Sequence, residues 1–219
     1  GSLPAALAAE HCCALFNAWG MQCLAAGQYT SSLELLKKAE AITEAEESAQ
    51  SARRRMELRA ATFSNLCCYF RARGKLNAAL QFAEKALRIE QRYKDAEDPA
   101  RMRLNYAVLL SSMQRHEEAI EQLEAAAAVL RDEERQAQAG LGFGGMPGAR
   151  TQEEVASALV VAYHNLWVEH TRLGRWEQSL DCLVRAANIA KQRLGPSHAL
   201  AVKVEQSLVA AEDARTAPP

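Results

Sequence analysis

One pattern of residue types recurs four times along this chain of 219 residues, and it constrains the fold more than any other feature. Each copy has large apolar residues at helical spacing, then a turn, then a run with Ser or Ala, usually Leu, and finally Ala. That last position is occupied in the four copies by Ala39, Ala86, Ala126 and Ala186. An ordinary helical bundle does not predict recurrence of the same letters, whereas stacked two-helix units do.

The turns between the two halves of each copy are marked by glycine. Gly27, Gly74 and Gly174 end the first helix in three copies, and Gln114 stands at this place in the third. Glycine adopts the left-handed backbone conformation of a helix C-cap without a steric penalty. These positions therefore predict a helix, a tight turn and a second helix in each copy.

The spacing of the copies is irregular, since the intervals between the recurring alanines are 47, 40 and 60 residues. Longer helices account for the first two intervals. The third contains the glycine-rich segment 140–148, which predicts a mobile loop. Helix restarts are predicted by Asp98 as an N-cap before Pro99, and by Thr151 with Glu154 as a capping box.

These residues resemble the tetratricopeptide repeat, whose pattern is W-x2-L-G-x2-Y, then A-x3-F, then A, and the resemblance covers about residues 14–190. It implies an all-α fold: a right-handed superhelix (α-solenoid) of four helix-turn-helix repeats plus a C-terminal capping helix. We expect one domain over residues 3–215, with residues 1–2 as a cloning scar, the loop 140–150 inside the domain and residues 216–219 as a tail. The expected repeats are about 5–47, 50–92, 99–139 and 151–193, followed by a capping helix at 198–215.

Three features depart from the pattern or lie outside it. Trp167 stands where the repeat has a small residue, and Arg103 stands where it has an aromatic one. The repeat pattern therefore does not predict close helix packing at these two places. The run Arg53–Arg55 is interpreted as a solvated or partner-facing patch between two helices.

The long repeats and the link Leu194–His198 resemble the kinesin light chain group and the polarity adaptors that bind spindle-orientation proteins. The resemblance implies a column of asparagines on the concave face that holds the backbone of an extended peptide. In the first repeat Ala18 interrupts the column, although Asn17 lies beside it. The matching positions are Asn65, Asn105 and Asn165.

An asparagine amide both donates and accepts hydrogen bonds, so it can bind a peptide unit without reading its side chain. The alternative is that each asparagine only joins adjacent helices, and the two roles can coexist. Arginines beside the column favour a ligand with acidic and apolar residues, because the guanidinium fork fits carboxylates. The predicted flanking residues are Arg71, Arg101, Arg172, Ser64, Leu104, Val108, Ser112, His164 and Val168.

Composition argues against several other classes of function. Lys and Arg total 26 against 27 Asp and Glu, and this balance lacks the basic excess of nucleic-acid and membrane-surface binders. The six cysteines suit reduced thiols in helices, so we expect a cytoplasmic protein, with the cytoskeleton as one setting. No motif for a metal, a cofactor or catalysis is present in the sequence, and the basic set that chaperone-binding relatives use is incomplete in the first repeat.

The sequence therefore predicts a protein–protein interaction scaffold that is not an enzyme and that binds an extended, acidic and apolar peptide in its concave groove. Two alternatives stay open. The chain can be an assembly module that docks or self-associates through its convex face or its loop, although a homo-oligomer is not predicted. It can also be the regulatory arm of a larger catalytic chain.

Overall fold

The structure is a computed structural model that describes residues 3–44, 52–92, 99–139 and 150–216. Every secondary-structure element within these ranges is helical, which confirms the predicted all-α fold. Residues Ala190–Leu194 form a π-helical turn that continues α8. The helices are α1 Leu3–Ala25, α2 Tyr29–Glu44, α3 Ala52–Ala72, α4 Leu76–Arg92, α5 Pro99–Ser112, α6 His116–Gln138, α7 Gln152–Arg172, α8 Trp176–Ile189 and α9 Ala199–Thr216.

The chain forms two compact units, Gly1–Met113 and Gln114–Pro219. In the first unit, α1 packs against α2 and α3 against α4, while α2 also contacts α3 and α4 also contacts α5. In the second unit, α6 packs against α7, α7 against α8 and α8 against α9. Each unit thus shows the side-by-side helix packing of a repeat array, and the expectation of one domain stays a prediction.

The first unit has an inner and an outer side. Helices α1 and α3 contact each other, as do α3 and α5, whereas the described residues of α2 and α4 make no such contact. A row of helices that lie closer together on one side curves towards that side. The surface formed by α1, α3 and α5 is therefore the concave side of this unit.

The recurring alanines lie in the interior, as the pattern predicts. Ala39, Ala86, Ala126 and Ala186 are each at most 2% exposed, because a larger side chain there would push adjacent helices apart. Around them in the first unit lie larger apolar residues such as Leu66, which is fully buried in a cluster with Phe63 and Leu36. Burying a leucine contributes about 2–3 kcal/mol, so this core provides much of the stability of the unit.

The glycines at the turns have the predicted left-handed conformation. Gly74 has a φ of 70°, its N–H donates to the Arg71 carbonyl at 2.9 Å, and Lys75 N–H donates to the Phe70 carbonyl at 2.9 Å. This pair of bonds is the Schellman motif that ends α3. Gln114 takes the same conformation, with a φ of 63°, although it carries a side chain.

Substituting Gly74 by alanine is expected to lower the free energy of unfolding by about 1 kcal/mol, because an L-residue is strained at this φ. Space is not the reason, since a Cβ at Gly74 would meet no atom within 4 Å. Urea denaturation followed by circular dichroism measures the change. The exposed neighbour Lys75→Ala is the matched control and should change stability by less than about 0.5 kcal/mol. Equal losses of stability for Gly74→Ala and Lys75→Ala would contradict the claim that the effect at Gly74 comes from backbone strain.

The predicted capping box is present at the start of α7. The Thr151 hydroxyl accepts from Glu154 N–H at 3.1 Å, and the Glu154 carboxylate accepts from Thr151 N–H at 2.7 Å. Pro99 begins α5 as predicted, whereas its expected N-cap Asp98 lies outside the described residues, as does the predicted loop 140–148.

The interpretation of Arg53–Arg55 as a patch between helices is wrong, because these residues lie in the first turn of α3. Arg53 and Arg54 both form ion pairs with Glu57, at 3.3 Å and 3.2 Å. Ion pairs three and four residues apart stabilise a helix. The charged run therefore extends α3 rather than interrupting it.

The two departures from the repeat pattern are accommodated locally. Arg103 forms an ion pair with Glu90 at 2.7 Å, which joins α5 to α4 where an aromatic contact was expected. Trp167 is half-buried with its ring edge-on to His164, at a centroid distance of 5.0 Å. Helices α7 and α8 still pack closely, and the hydroxyls of Thr171 and Ser179 lie 2.7 Å apart between them.

Candidate functional site

Asn65 lies at the centre of a buried hydrogen-bond chain on the concave side of the first unit. Its side chain is 4% exposed, and its Nδ2 donates to Asn17 Oδ1 at 2.9 Å. Its Oδ1 accepts from Arg101 Nη1 at 3.5 Å. Both ends of this amide are therefore engaged with the neighbouring first helices, α1 and α5.

The chain continues beyond Asn17 into the core. Asn17 Nδ2 donates to Thr62 Oγ1 at 2.9 Å, and the Thr62 hydroxyl donates to the Leu58 carbonyl at 2.8 Å. The exposed fractions of Asn17 and Thr62 are 7% and 0%. Sequence comparison of the repeats aligned Ala18 with Asn65 and so did not assign a role to Asn17, which joins α1 to α3.

Asn105 repeats this arrangement one helix further along. Its Nδ2 donates to Ser64 Oγ at 3.0 Å, and its side chain is half-buried. Asn17 and Ser64 occupy equivalent positions in successive repeats, so Asn65 and Asn105 each donate to the polar residue at the same place in the preceding repeat. In this unit the asparagines join first helices side by side, and Asn105 is the more accessible of the two.

Two arginines converge on Cys68 at the same surface. Burial raises the pKa of the Cys68 thiol, and the positive charges of Arg71 and Arg101 partly oppose this rise. Arg71 on α3 is half-buried and Arg101 on α5 is exposed. Burial also raises the pKa of Cys67 to about 12, so neither thiol is ionised near neutral pH. The two thiols therefore do not offset the positive charge of Arg71 and Arg101.

The other predicted residues of the first unit lie along α5. Leu104 and Val108 are half-buried, and Ser112 is exposed with its hydroxyl donating to the Val108 carbonyl at 2.8 Å. The first unit thus carries, on α3 and α5, two arginines, a half-buried asparagine and two half-buried apolar side chains. We call the residues Arg71, Arg101, Leu104, Asn105 and Val108 the inner patch.

The remaining predicted residues belong to α7 of the second unit. Asn165 is half-buried and makes a side-chain hydrogen bond with His164. Burial and the positive charge of Lys203 lower the pKa of His164, whereas the hydrogen bond with Asn165 raises it. Val168 is half-buried. Arg172 is exposed, and its Nη1 donates to Glu169 Oε1 at 3.1 Å.

Glu169 has a second partner that the sequence did not indicate. Glu169 is 3% exposed, and its second carboxylate oxygen, Oε2, lies 2.6 Å from His116 Nδ1. The pair links α6 to α7, and a helix crossing of this kind leaves no signal in the sequence.

Over the ranges that the structure describes, the side chains form neither a cluster suited to a metal ion nor a disulfide. Among the described residues, no group of three or more His, Cys, Asp or Glu side chains could hold a metal ion. All six thiols are free, and four of them are buried. Over the described ranges, no helix has both the length and the apolar character needed to cross a membrane.

The comparisons with known proteins agree with this architecture. The tetratricopeptide repeat family matches residues 58–132. BtubC (BKLC) from P. vanneervenii is similar in structure, with 18% identity over 90% of this chain and 70% of that one and a TM-score of 0.66. No curated protein matches the chain significantly in sequence.

A second similar structure is a Podosopora anserina protein named for kinesin light chain and its nearly identical TPR-like repeats. It is 20% identical over 91% of this chain and 85% of that one, with a TM-score of 0.63. At these identities the likeness concerns the fold. Residues 58–132 thus match the tetratricopeptide repeat family, and the fold of the chain is similar to that of a kinesin light chain-like repeat structure.

Proposed function

We propose that this protein is a non-enzymatic scaffold whose inner patch binds an extended, acidic and apolar segment of a partner protein. Repeat arrays of this kind present curved surfaces that bind other proteins. The reduced, buried thiols support a cytoplasmic setting. The proposal concerns the concave side of the first unit, and the α7 residues of the second unit are a separate candidate surface.

The observation that carries the proposal is that Arg71 and Arg101 both act on Cys68, and that Arg101 shares α5 with half-buried Leu104 and Val108. Guanidinium groups bind carboxylates through two parallel hydrogen bonds, and apolar neighbours strengthen such contacts by excluding water. Asn105 adds an amide that is only half-buried. Buried Asn65 is assigned to the joining of helices, so in this proposal Asn105 contacts the peptide backbone and Asn65 positions Arg101.

Reversing both charges, Arg71→Glu with Arg101→Glu, is expected to weaken peptide binding at least about tenfold, since each lost carboxylate contact is worth about 1 kcal/mol or more. The probe is the tightest acidic peptide obtained when a random-sequence peptide library is selected on the wild-type protein. Fluorescence anisotropy gives the Kd. The α4 variant Arg88→Glu with Arg92→Glu carries the same charge change on exposed residues and is the matched control.

The same assay isolates the amide of Asn105. Asn105→Ala removes both the amide and its bond to Ser64, whereas Ser64→Ala removes only that bond. A peptide contact predicts weaker binding for the first variant alone. Two results would contradict the proposal. The first is equal peptide binding by the wild type and the double arginine variant, and the second is selection of peptides that lack acidic residues.

A further inference from the structure

An open apolar cleft lies in the second unit between the end of α8 and the final helix α9. Its volume is about 600 Å³. Ala187, Pro196, Val202, Val209 and Ala210 provide most of its apolar lining. Val184, one turn before Ala187 on the same face of α8, extends the apolar surface and is 37% exposed. We call this feature the α9 cleft.

The outer face of α9 carries exposed apolar side chains. Val202 and Val209 lie two turns apart and are 43% and 49% exposed. Among the side chains described on α9, only Ala201 and Val204 are buried. By contrast, α7 buries residues on most of its circumference, because α6, α8 and α9 all contact it. The exposed side of α9 thus presents two partly exposed valines among polar residues of the same face.

The charges of the cleft are arranged asymmetrically. Glu205 and Asp213 line it from α9, two turns apart, and Lys191 lines it from the turn after α8. The α9 side of the cleft is therefore acidic. Gln206 lies between the two valines and offers an amide that can either donate or accept.

We propose that the α9 cleft binds an amphipathic helix of a partner protein, with an apolar stripe entering the cleft and basic residues facing Glu205 and Asp213. Val202 to Asp213 spans about 16 Å at the rise of an α-helix, which matches an occupant of about three turns. Helices in contact lie about 8–10 Å apart, so side chains on one face of the occupant fill the cleft. This site is separate from the inner patch and does not rest on it.

The test uses three synthetic peptides of about four turns, long enough to cover the cleft. The first has a leucine stripe with lysines on both flanks, the second has the same stripe with glutamates, and the third has the lysine flanks with serines in place of the leucines. Titration calorimetry is expected to show that the first binds at least about tenfold more tightly than either of the others.

Two variants locate the binding. Val202→Asp with Val209→Asp is expected to abolish binding of the first peptide, and Glu205→Lys is expected to reduce the preference for lysine over glutamate flanks at least about fivefold. Leu7→Asp on α1, at a residue that is 58% exposed, introduces the same kind of charge away from the cleft and is the control. Circular dichroism checks that each variant keeps its helix content, which is expected because the altered side chains are exposed.

Three results would overturn the proposal. Equal binding of the leucine and serine peptides would show that the apolar face is not used, and binding that survives the double valine variant would place the peptide elsewhere. A wild-type dimer in light scattering that becomes monomeric in that variant would make the cleft a contact between copies of this chain. Arg71→Glu with Arg101→Glu should leave binding of the helical peptide unchanged, so the proposals for the inner patch and for the α9 cleft are tested independently.

Discussion

Replacing Asn65 with alanine is expected to lower the free energy of unfolding by about 2–3 kcal/mol. Asn65 is 4% exposed, and its amide donates to Asn17 while accepting from Arg101. Alanine removes the donor from the buried Asn17 carbonyl oxygen and leaves a small cavity. Because a buried polar group without its partner loses its hydration with no compensation, the cost exceeds that of a single exposed hydrogen bond. Urea denaturation followed by circular dichroism measures the difference.

Asn105→Ala is the matched control for Asn65→Ala. It makes the same chemical change at an equivalent repeat position, but Asn105 is half-buried and water can replace its bond to Ser64. We expect a loss below about 1 kcal/mol there. A double-mutant cycle of Asn17→Ala and Asn65→Ala should give a coupling of at least about 1 kcal/mol. If Asn65→Ala costs less than Asn105→Ala, Asn65 does not act in packing, and its amide becomes the better candidate for a peptide contact.

The two asparagines show how far the sequence determines the site. The recurrence of one residue type at one repeat position predicts that they share a face of the first helices, and in the structure each amide bonds to the first helix of the preceding repeat. It did not indicate how their amides are used, because the partner of each amide lies on another helix about 40 residues away or more. That partner depends on where the helices cross. Asn17 was missed for this reason, since alignment by letters paired Ala18 with Asn65.

The fold was easier to predict from the sequence than the site, because the sequence signals of helices and turns are local. Gly74 and the capping box at Thr151 act within one turn of the chain, and each was found with the geometry that its residue type favours. Gln114 and the pair Arg103–Glu90 had no such local signal. Gln114 stands where the other repeats have glycine, and Arg103 stands where the repeat pattern has an aromatic residue. At both positions the surrounding packing, and not the residue type, determines the conformation. Local chemistry therefore predicts the helices, and tertiary packing determines the contacts between them.

Gly20→Val is expected to destabilise the first unit by about 3 kcal/mol, which is the cost of adding bulk to a well-packed interior. A Cβ at Gly20 would lie 2.9 Å from Leu36 Cδ2 and 3.0 Å from Leu36 Cγ. Leu36 is fully buried against Phe63 and Leu66, so it cannot move away without disturbing that cluster. The same repeat position holds Cys67 and Ala107, both 1% exposed, and small side chains there let the two helices of a repeat approach.

The steric origin of this effect can be separated from the helix preference of valine. Ala18→Val places the same side chain two residues away on the exposed face of α1 and should cost no more than about 0.7 kcal/mol. Combining Gly20→Val with Leu36→Ala should cost at least about 1 kcal/mol less than the sum of the single changes, because the shortened side chain makes room for valine. Additive losses would mean that valine at position 20 does not meet Leu36, and the close approach of α1 and α2 at Gly20 would then not limit the size of the residue there.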